Sequence, residues 1–444
     1  MADPYPIRAI RPDELDAFHA VLEQAFLSPA PGERMRAAIM RQLEFDRTLT
    51  AFDGPAPVGN AAAWSLQLCL PGAMAPAAGV TLVAVLPGYR RRGIMSSLMR
   101  RQLADLRDRG EAIAVLWASE AEIYGRFGYG AATWHANFCF QRGDGTLRPG
   151  AGTVVGSDGP DPVGDGLRVR IVAPEAVRTE LAKVYRAVLP GQPGMYAREA
   201  PWWDRLLRVN DEHPHDADPL RCVLAEDDSG PRGYAIYTAR IEWNGETFLA
   251  QGSLHVRELV ATDPAATARL WADLLSRDLI TEFTASLRPV DDPLIHLLAD
   301  PRRARQRVGD GLWVRLTDVP RALPLRRYAC PVDVVIEVAD GVLPDNSGKW
   351  RLTCGPEADG GPGSGAAGET AGSRPGFGAV CVPAGDRAAD LTVDVAALGA
   401  AYLGGTGLAT LTGAGLVREH RPGAVARLAA ALSWDPAPWC PQIF

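Results

Sequence analysis

The chain has no CxxC pair, no block of basic residues and no unbroken apolar run long enough to cross a bilayer. Its seven cysteines, Cys69, Cys139, Cys222, Cys330, Cys354, Cys381 and Cys440, are scattered and odd in number. That pattern excludes a disulfide framework or zinc ribbon and fits reduced, buried thiols in the cytoplasm. A net charge of −7 argues against a nucleic-acid partner and favours cationic small molecules. The uncharged stretch between Asp53 and Arg90 is interrupted by Pro55, Pro57, Pro71, Pro76 and Pro87. Residues 395–417 carry Gly399, Gly404, Gly405, Gly407, Gly413 and Gly415. Neither stretch reads as a spanning helix, so no membrane partner is expected. Met1-Ala2-Asp3-Pro4 does not begin a basic-then-apolar leader, so no signal peptide is expected. His19, His135, His255, His296 and His420 are isolated, and His213 and His215 flank Pro214 in an acidic loop. No metal site is expected. At 444 residues with an ordinary globular composition, the chain is long enough for about three domains.

What is present centres on Gly79-Val80-Thr81-Leu82-Val83-Ala84-Val85-Leu86-Pro87-Gly88-Tyr89-Arg90-Arg91-Arg92-Gly93-Ile94-Met95. Val80, Leu82, Val83 and Val85 read as a strand, and Pro87-Gly88 stops it. A helix comes next, with Met95, Leu98, Met99, Leu103 and Leu106 on one face and Gly110 at its C-terminal cap. A strand, a tight basic loop and a helix start together make an anion site. The first helical amides lack partners, and the macrodipole stabilises a nearby negative charge by roughly 0.3–1 kcal/mol. Arg90, Arg91 and Arg92 add charge-assisted donors, and Gly93 lets the backbone approach. No Gly-Lys-Ser/Thr and no GxGxxG is present, so this is neither a Walker loop nor a dinucleotide fingerprint. A surface arginine cluster at a helix start is the plain alternative.

Around this stretch the order is β-α-α-β-β-β-α-β. The elements are a strand at 7–11, a helix from Pro12 with Leu15, Phe18, Val21, Leu22 and Phe26 inward, and a helix at 32–43. Strands at 47–52, 58–70 and 112–117 complete the set. That order and Arg90-Arg91-Arg92-Gly93-Ile94-Met95 resemble the GNAT acetyltransferases, whose loop reads Arg/Gln-x-x-Gly-x-Gly/Ala; Met95 is the bulky exception. The resemblance implies acetyl-CoA as co-substrate. Its pyrophosphate would sit on the 91–95 backbone, its pantetheine arm would pair with Val83, Ala84 and Val85, and Ser119 and Glu120 would lie close by. Tyr124-Gly125-Arg126-Phe127-Gly128-Tyr129 matches a GNAT element whose tyrosine hydroxyl faces the CoA sulfur. Tyr124 is therefore either the acid for the departing thiolate or, with Phe127 and Tyr129, a core aromatic.

Asp46-Arg47-Thr48-Leu49, Pro76-Ala77-Ala78-Gly79-Val80-Thr81 and Ile123 to Gly130 narrow the resemblance to the Eis family of aminoglycoside N-acetyltransferases. That family implies tandem GNAT-like domains, the first complete and the second degenerate, then a sterol-carrier-like α/β domain, assembled as a homohexamer. The expected division is 1–145, a linker at 146–166, 167–308 and 309–444, with a disordered loop at 355–376. In the second domain, strands at 167–172, 222–226, 233–242 and 247–261 and helices at 175–189 and 265–275 are expected, with a hairpin turn at Asn244-Gly245. Its Thr262-Asp263-Pro264 connection lacks glycine and arginine, and Asp263 would repel a pyrophosphate. An unrelated α/β domain is the alternative. In the last third, strands at 313–316, 332–338, 350–354 and 378–382 and helices at 319–328 and 393–403 are expected.

The apolar ending Trp439-Cys440-Pro441-Gln442-Ile443-Phe444 reads as a docked tail, since most termini are polar and fray. The family resemblance implies that the Phe444 carboxylate is the general base; a tail that merely packs is the alternative. Ile443 stands where the family carries an acidic residue. The expected activity is acetyl transfer from acetyl-CoA to amines of an aminoglycoside-like cation. Transfer to protein lysines, or a non-catalytic acyl-CoA- or lipid-binding role, are the rivals.

Overall fold

The computed structural model describes residues 4–27, 32–151, 166–208, 218–355 and 376–444. His213, His215, most of the expected 146–166 linker and nearly all of the 355–376 insert lie outside the described residues.

The strands of the first third are β1 (Ile7–Arg8), β2 (Thr48–Asp53), β3 (Ala56–Leu70), β4 (Ala73–Val85), β5 (Ile113–Trp117), β6 (Gly130–Ala131) and β7 (Trp134–Gln141). Those of the middle are β8 (Arg168–Val172), β9 (Leu220–Asp227), β10 (Gly230–Trp243), β11 (Ala250–Ala261), β12 (Ile280–Pro289), β13 (Arg307–Asp310) and β14 (Leu312–Leu316). They build two seven-stranded sheets, ordered β1-β2-β3-β4-β5-β14-β6 and β8-β9-β10-β11-β12-β7-β13. Each sheet is the other's pattern repeated, with one trade. Strand β7 leaves the first sheet and inserts between β12 and β13, while β14 returns from the middle of the chain to lie between β5 and β6. A boundary drawn at 145 or at 309 therefore separates β7 and β14 from the sheets they complete. The 312–316 strand, expected in the C-terminal domain, belongs to the first sheet because its Leu312, Val314 and Leu316 fill that sheet's core.

Helices α1 (Leu15–Phe26), α2 (Glu33–Gln42) and α3 (Ile94–Asp108) accompany the first sheet, and α5 (Arg178–Val188), α6 (Ala200–Arg208) and α7 (Pro264–Leu275) the second. The short α4 (Ala121–Tyr124) comes after β5. Helix α3 shows why the local pattern was decisive. Ile94, Leu98, Met99, Leu103 and Leu106 fall at the i, i+4, i+5 spacing of one helix face and are all buried. Met99, Leu103 and Leu106 pack against Ala78 and Val80 of β4. Each such side chain contributes about 1.5–3 kcal/mol on burial.

The last third forms a five-stranded sheet from β15 (Val332–Ala339), β16 (Gly348–Cys354), β17 (Ala379–Pro383), β18 (Leu391–Asp394) and β19 (Val417–Glu419), ordered β17-β16-β15-β18-β19. Two expectations fail here for local reasons. The 319–328 helix stops after Val319–Ala322 and gives a 3₁₀ turn at Leu323–Leu325, because Pro324 cannot continue an α-helix. The helix expected at 393–403 begins only at Val395, since Leu391–Asp394 pairs with β15 and Asp394 caps the helix. The Asn244-Gly245 turn is also longer than a two-residue hairpin. The last pair is Trp243↔Ala250, and the Asn244 side chain accepts from the amides of Glu246 and Thr247.

This third is locked to the first sheet. Arg315 of β14 and Asp340 beyond β15 form a fully buried ion pair at 2.6 Å. Gly130 of β6 lies so close to the 395–401 helix that an added Cβ would stand 1.9 Å from Ala396 O. Gly130→Ala should therefore lower the melting temperature sharply, by about 5 °C or more for a loss of at least 1–3 kcal/mol, as read by differential scanning calorimetry. An unchanged melting temperature would mean that this contact is not formed.

Candidate active site

The site begins with a fault in β4. Its pairing with β3 slips by one residue between Asn60 and Ala62, where Leu82 is forced to φ +54°. Such a bulge bends the strand and re-aims the residues beyond it. On the other edge, β4 runs parallel to β5 only at Ala78↔Ala114 and Gly79↔Val115. Beyond that point β4 and β5 part, and Leu116 and Trp117 keep only their pairing with β14 on the other edge of β5. The Val83–Val85 edge is thus left facing a wedge-shaped gap in the sheet.

A cavity of about 570 Å³ fills that region, lined by Val83, Ala84 and Val85, by Tyr89, Arg90, Arg91, Gly93, Ile94 and Met95, and by Ser119, Glu120 and Tyr124. All the sequence-expected coenzyme residues meet here except Arg92. The loop curls because Arg91 (φ +63°) and Gly93 (φ +83°) both adopt the left-handed region. Gly93 accommodates this without strain, and Arg91 is held there at some cost. Helix α3 starts on Gly93, which has no side chain to cap it, and its first bond runs from Ser97 N–H to Gly93 O at 3.0 Å. The preceding amides sit at the cavity wall, at the positive end of the helix dipole. This arrangement suits a diphosphate.

Arg92 points elsewhere. Its guanidinium donates to Tyr5 Oη at 2.9 Å and Gly88 O at 3.0 Å and lies 4.8 Å from the Tyr89 ring centre. Two donors and a π face hold it against Tyr5 and Tyr89 rather than in the cavity. The cation that sequence reasoning missed is Arg126, which lines the cavity from the turn after α4. Phe26 and Leu27, at the end of α1, close the other side. Arg126 stood inside the recognised Tyr124–Tyr129 element, so its proximity to Tyr124 was the available signal. Arg91→Ala and Arg126→Ala should each raise the KM for acetyl-CoA by about three- to tenfold, the scale of an exposed charge-assisted contact of roughly 1 kcal/mol. Arg92→Ala should leave it within about twofold, since its charge is engaged elsewhere. Initial-rate kinetics decide between these, and an Arg92 effect as large as the others would overturn the loop geometry.

Tyr124 is 4% exposed, its ring edge-on to Tyr129 at 6.2 Å. Burial raises its hydroxyl above the usual phenol value; a hydrogen bond to Ser119 works in the opposite direction, and Glu120 adds to the rise. The phenol therefore stays protonated well past neutral pH. On β4, Ala78 and Val80 face α3 and the Tyr124 cluster, so the intervening Gly79 faces the opposite side. There the Phe444 ring lies 3.1 Å from where a Gly79 Cβ would be, and it packs edge-on to Tyr196 (5.6 Å) and Trp202 (6.3 Å). Phe444 does not line the cavity itself. It is buried at the closed end of the gap, on the face opposite Tyr124, and its tail is docked as the sequence implied.

The second sheet repeats the geometry with the opposite outcome. Strand β11 pairs with β12 only from Gly252 to Val256, opening a similar gap. Helix α7, however, is capped by Asp263, whose carboxylate accepts from Ala266 N–H at 3.0 Å and pairs with Arg232 at 2.9 Å. An internal carboxylate stands where an anion would bind. Arg288 bridges the gap, donating to Leu259 O at 2.7 Å and to Asp292 at 2.8 Å.

Among the described residues, no group of His, Cys, Asp or Glu could hold a metal ion, and no helix is long and apolar enough to cross a membrane.

A split sheet beside a basic loop and an uncapped helix defines the class as acyl-CoA-dependent N-acetyltransferases of the GNAT fold. The acetyltransferase (GNAT) domain family matches residues 6–132 and, through a second family of that description, residues 194–316; a sterol carrier protein domain matches 319–441. The chain is 40% identical over 99% of its length, and 99% of the relative's, to an uncharacterized N-acetyltransferase of Streptomyces avermitilis. It is 33% identical to the N-acetyltransferase Eis of Mycobacterium tuberculosis, across 88% of this chain and 87% of that protein. The crystal structure of Eis1 from Mycobacterium abscessus superposes with a TM-score of 0.77 at 31% identity, covering 99% of this chain and 100% of that one. The chain belongs to the Eis family of N-acetyltransferases.

Proposed function

We propose that the protein transfers acetyl directly from acetyl-CoA to primary amines of a cationic small molecule, with aminoglycosides at more than one position as the acceptor class. The observation that carries this reading is the gap beyond Gly79↔Val115, with Tyr124 buried on one face and Phe444 on the other.

The diphosphate rests on the amides at the start of α3, with Arg90, Arg91 and Arg126 around it. The pantetheine arm completes the sheet along Val83–Val85, taking the place β5 gives up. The acceptor nitrogen attacks the thioester carbonyl carbon, the Val83 N–H receives the developing oxyanion, and the C–S bond breaks. The proton leaving nitrogen goes to the Phe444 carboxylate, and the Tyr124 hydroxyl protonates the departing thiolate. An amine with a lysine-like pKa near 10.4 costs roughly 4–5 kcal/mol to neutralise at pH 7, so an acceptor for that proton is needed. Ile443 is 52% exposed. It contributes an apolar surface beside the terminus in place of a carboxylate, which weakens the hold on a polycation. Homohexameric assembly in the cytoplasm is part of this reading through the family likeness alone.

The test is a two-step assay on the full chain. Calorimetry should show acetyl-CoA binding in the micromolar range, and an acceptor screen should show acetylation of aminoglycosides above lysine peptides. Binding without transfer to any amine would leave a binding protein, and peptide acetylation alone would move the acceptor class to protein lysines.

A further inference from the structure

The second sheet's gap is bridged by Arg288, and many hydrogen bonds and ring contacts converge there. Arg288 is 3% exposed, bridges β11 and the Asp292 carboxylate, and stacks within 5.6 Å of Trp271 and 5.1 Å of Trp439. Trp439 is 4% exposed. Its indole N–H donates to Leu287 O at 2.5 Å, and its backbone N–H donates to Pro193 O at 2.7 Å. Gly194 approaches so closely that a Cβ there would stand 2.9 Å from Trp439 O. Two residues earlier, Ala437 is held from both sides: its N–H donates to Asp291 at 2.8 Å and its carbonyl accepts from Gln192 at 2.6 Å. One residue later, the buried Cys440 thiol donates to Gln442 O at 3.4 Å. The chain then runs four residues to Phe444, beside Gly79. The tail thus passes from one sheet's gap to the other's within six residues.

We propose that the second acetyltransferase-fold module is a clamp that aims the chain terminus, with Trp439 as a positioning residue for the Phe444 carboxylate and Arg288 as the platform that holds it. The inference rests on the reading of that carboxylate as the base. Its physical logic is one of reach. Five residues of extended chain span up to about 16–18 Å, so an untethered end would sample many positions, and misplacement by about 1 Å at a reacting centre costs on the order of 10²-fold. Fixing position 439 by a stack and two hydrogen bonds removes most of that freedom. The degenerate module keeps its split sheet because the gap, closed by Arg288, leaves Leu287 O available to Trp439 and not to β11.

The experiment uses the full-length enzyme and Trp439→Phe, Trp439→Ala, Arg288→Lys and a form lacking Phe444. Carboxypeptidase A, which removes a C-terminal aromatic residue, reads the terminus directly by mass spectrometry. Trimming of a protected end tracks the population of its open form. Trp439→Ala and Arg288→Lys should lose Phe444 about tenfold or more faster than the parent, with Trp439→Phe between them, because it keeps the stack and loses the N–H. In steady-state assays with neomycin as acceptor, kcat should fall in the same order, while the KM for acetyl-CoA stays within about twofold, since the coenzyme site is in the other sheet. Phe444 equally protected in Trp439→Ala overturns the clamp. Coenzyme affinity falling together with kcat also overturns it, because the role would then be general support of the fold. Parent-like turnover by the form lacking Phe444 overturns the terminal base instead, whatever the trimming shows.

Discussion

A chain ending at Ile443 should stay folded and bind acetyl-CoA, yet transfer acetyl more slowly by roughly 10²–10⁴, the contribution of a positioned general base. The loss has two separable parts. The ring packs between Tyr196 and Trp202 against Gly79, and its removal opens a small cavity that costs about 3–5 kcal/mol at most, as for a phenylalanine cut to alanine. The carboxylate, meanwhile, retreats by one residue, about 3.3–3.6 Å, beyond the reach of a proton on the acceptor nitrogen. Adding a single glycine after Phe444 separates them: the ring keeps its pocket, and the carboxylate moves by a similar distance the other way. Both chains should lose turnover, while only the shortened one should lose melting temperature. Rates equal to the parent's in the extended chain would show that the tail only packs.

Tyr124→Phe should lower kcat by roughly 10²-fold or more while leaving the affinity for acetyl-CoA nearly unchanged. The ring fills the same volume, and the deleted hydroxyl loses one hydrogen bond, to Ser119, worth about 0.5–1.5 kcal/mol of stability. The direction of the pKa shift matters. Burial favours the neutral phenol, so ionisation moves to higher pH and the proton remains in place at neutral and mildly alkaline pH. The parent's rate should therefore rise through neutral pH and hold in mildly alkaline buffer, with no descending limb from Tyr124 there. Stopped-flow and steady-state profiles from pH 6 to about 9.5 read this, an interval that stays below an ordinary phenol at about 10. A variant with the parent's turnover and profile would remove Tyr124 from the reaction.

How much of this was legible in the sequence depends on how far apart the interacting residues lie. The strand, basic loop and helix from Gly79 to Leu106 are contiguous. Their pattern needed only propensity, the glycine at a left-handed position and the spacing of buried side chains. Tyr124 was readable for the same reason, since its turn is written in six consecutive residues, Tyr124 to Tyr129. Arg92 was not, because its partner Tyr5 lies 87 residues away. Three adjacent arginines look alike in sequence, and the bonds to Tyr5 and Gly88 with the Tyr89 face turn one of them out of the site. The trade of β7 for β14 was equally hidden. The 313–316 strand was expected in another domain and β7 was not read as a strand at all, since nothing in an alternating apolar pattern names the sheet that will cover it.

The sequence by itself determined the chemistry on offer: an uncapped helix behind a basic loop, a tyrosine in a fixed local turn, and an apolar chain end that water would not hold. The sequence also marked the second copy as degenerate through Asp263, and tertiary structure decided how that copy's gap is closed. In one copy the first-turn amides of α3 stay open; in the other, Asp263 caps the helix and Arg288 closes the gap. That closure comes from the buried Arg288 finding the Leu259 carbonyl 29 residues away, because a guanidinium removed from water must be satisfied wherever the fold brings an acceptor to it.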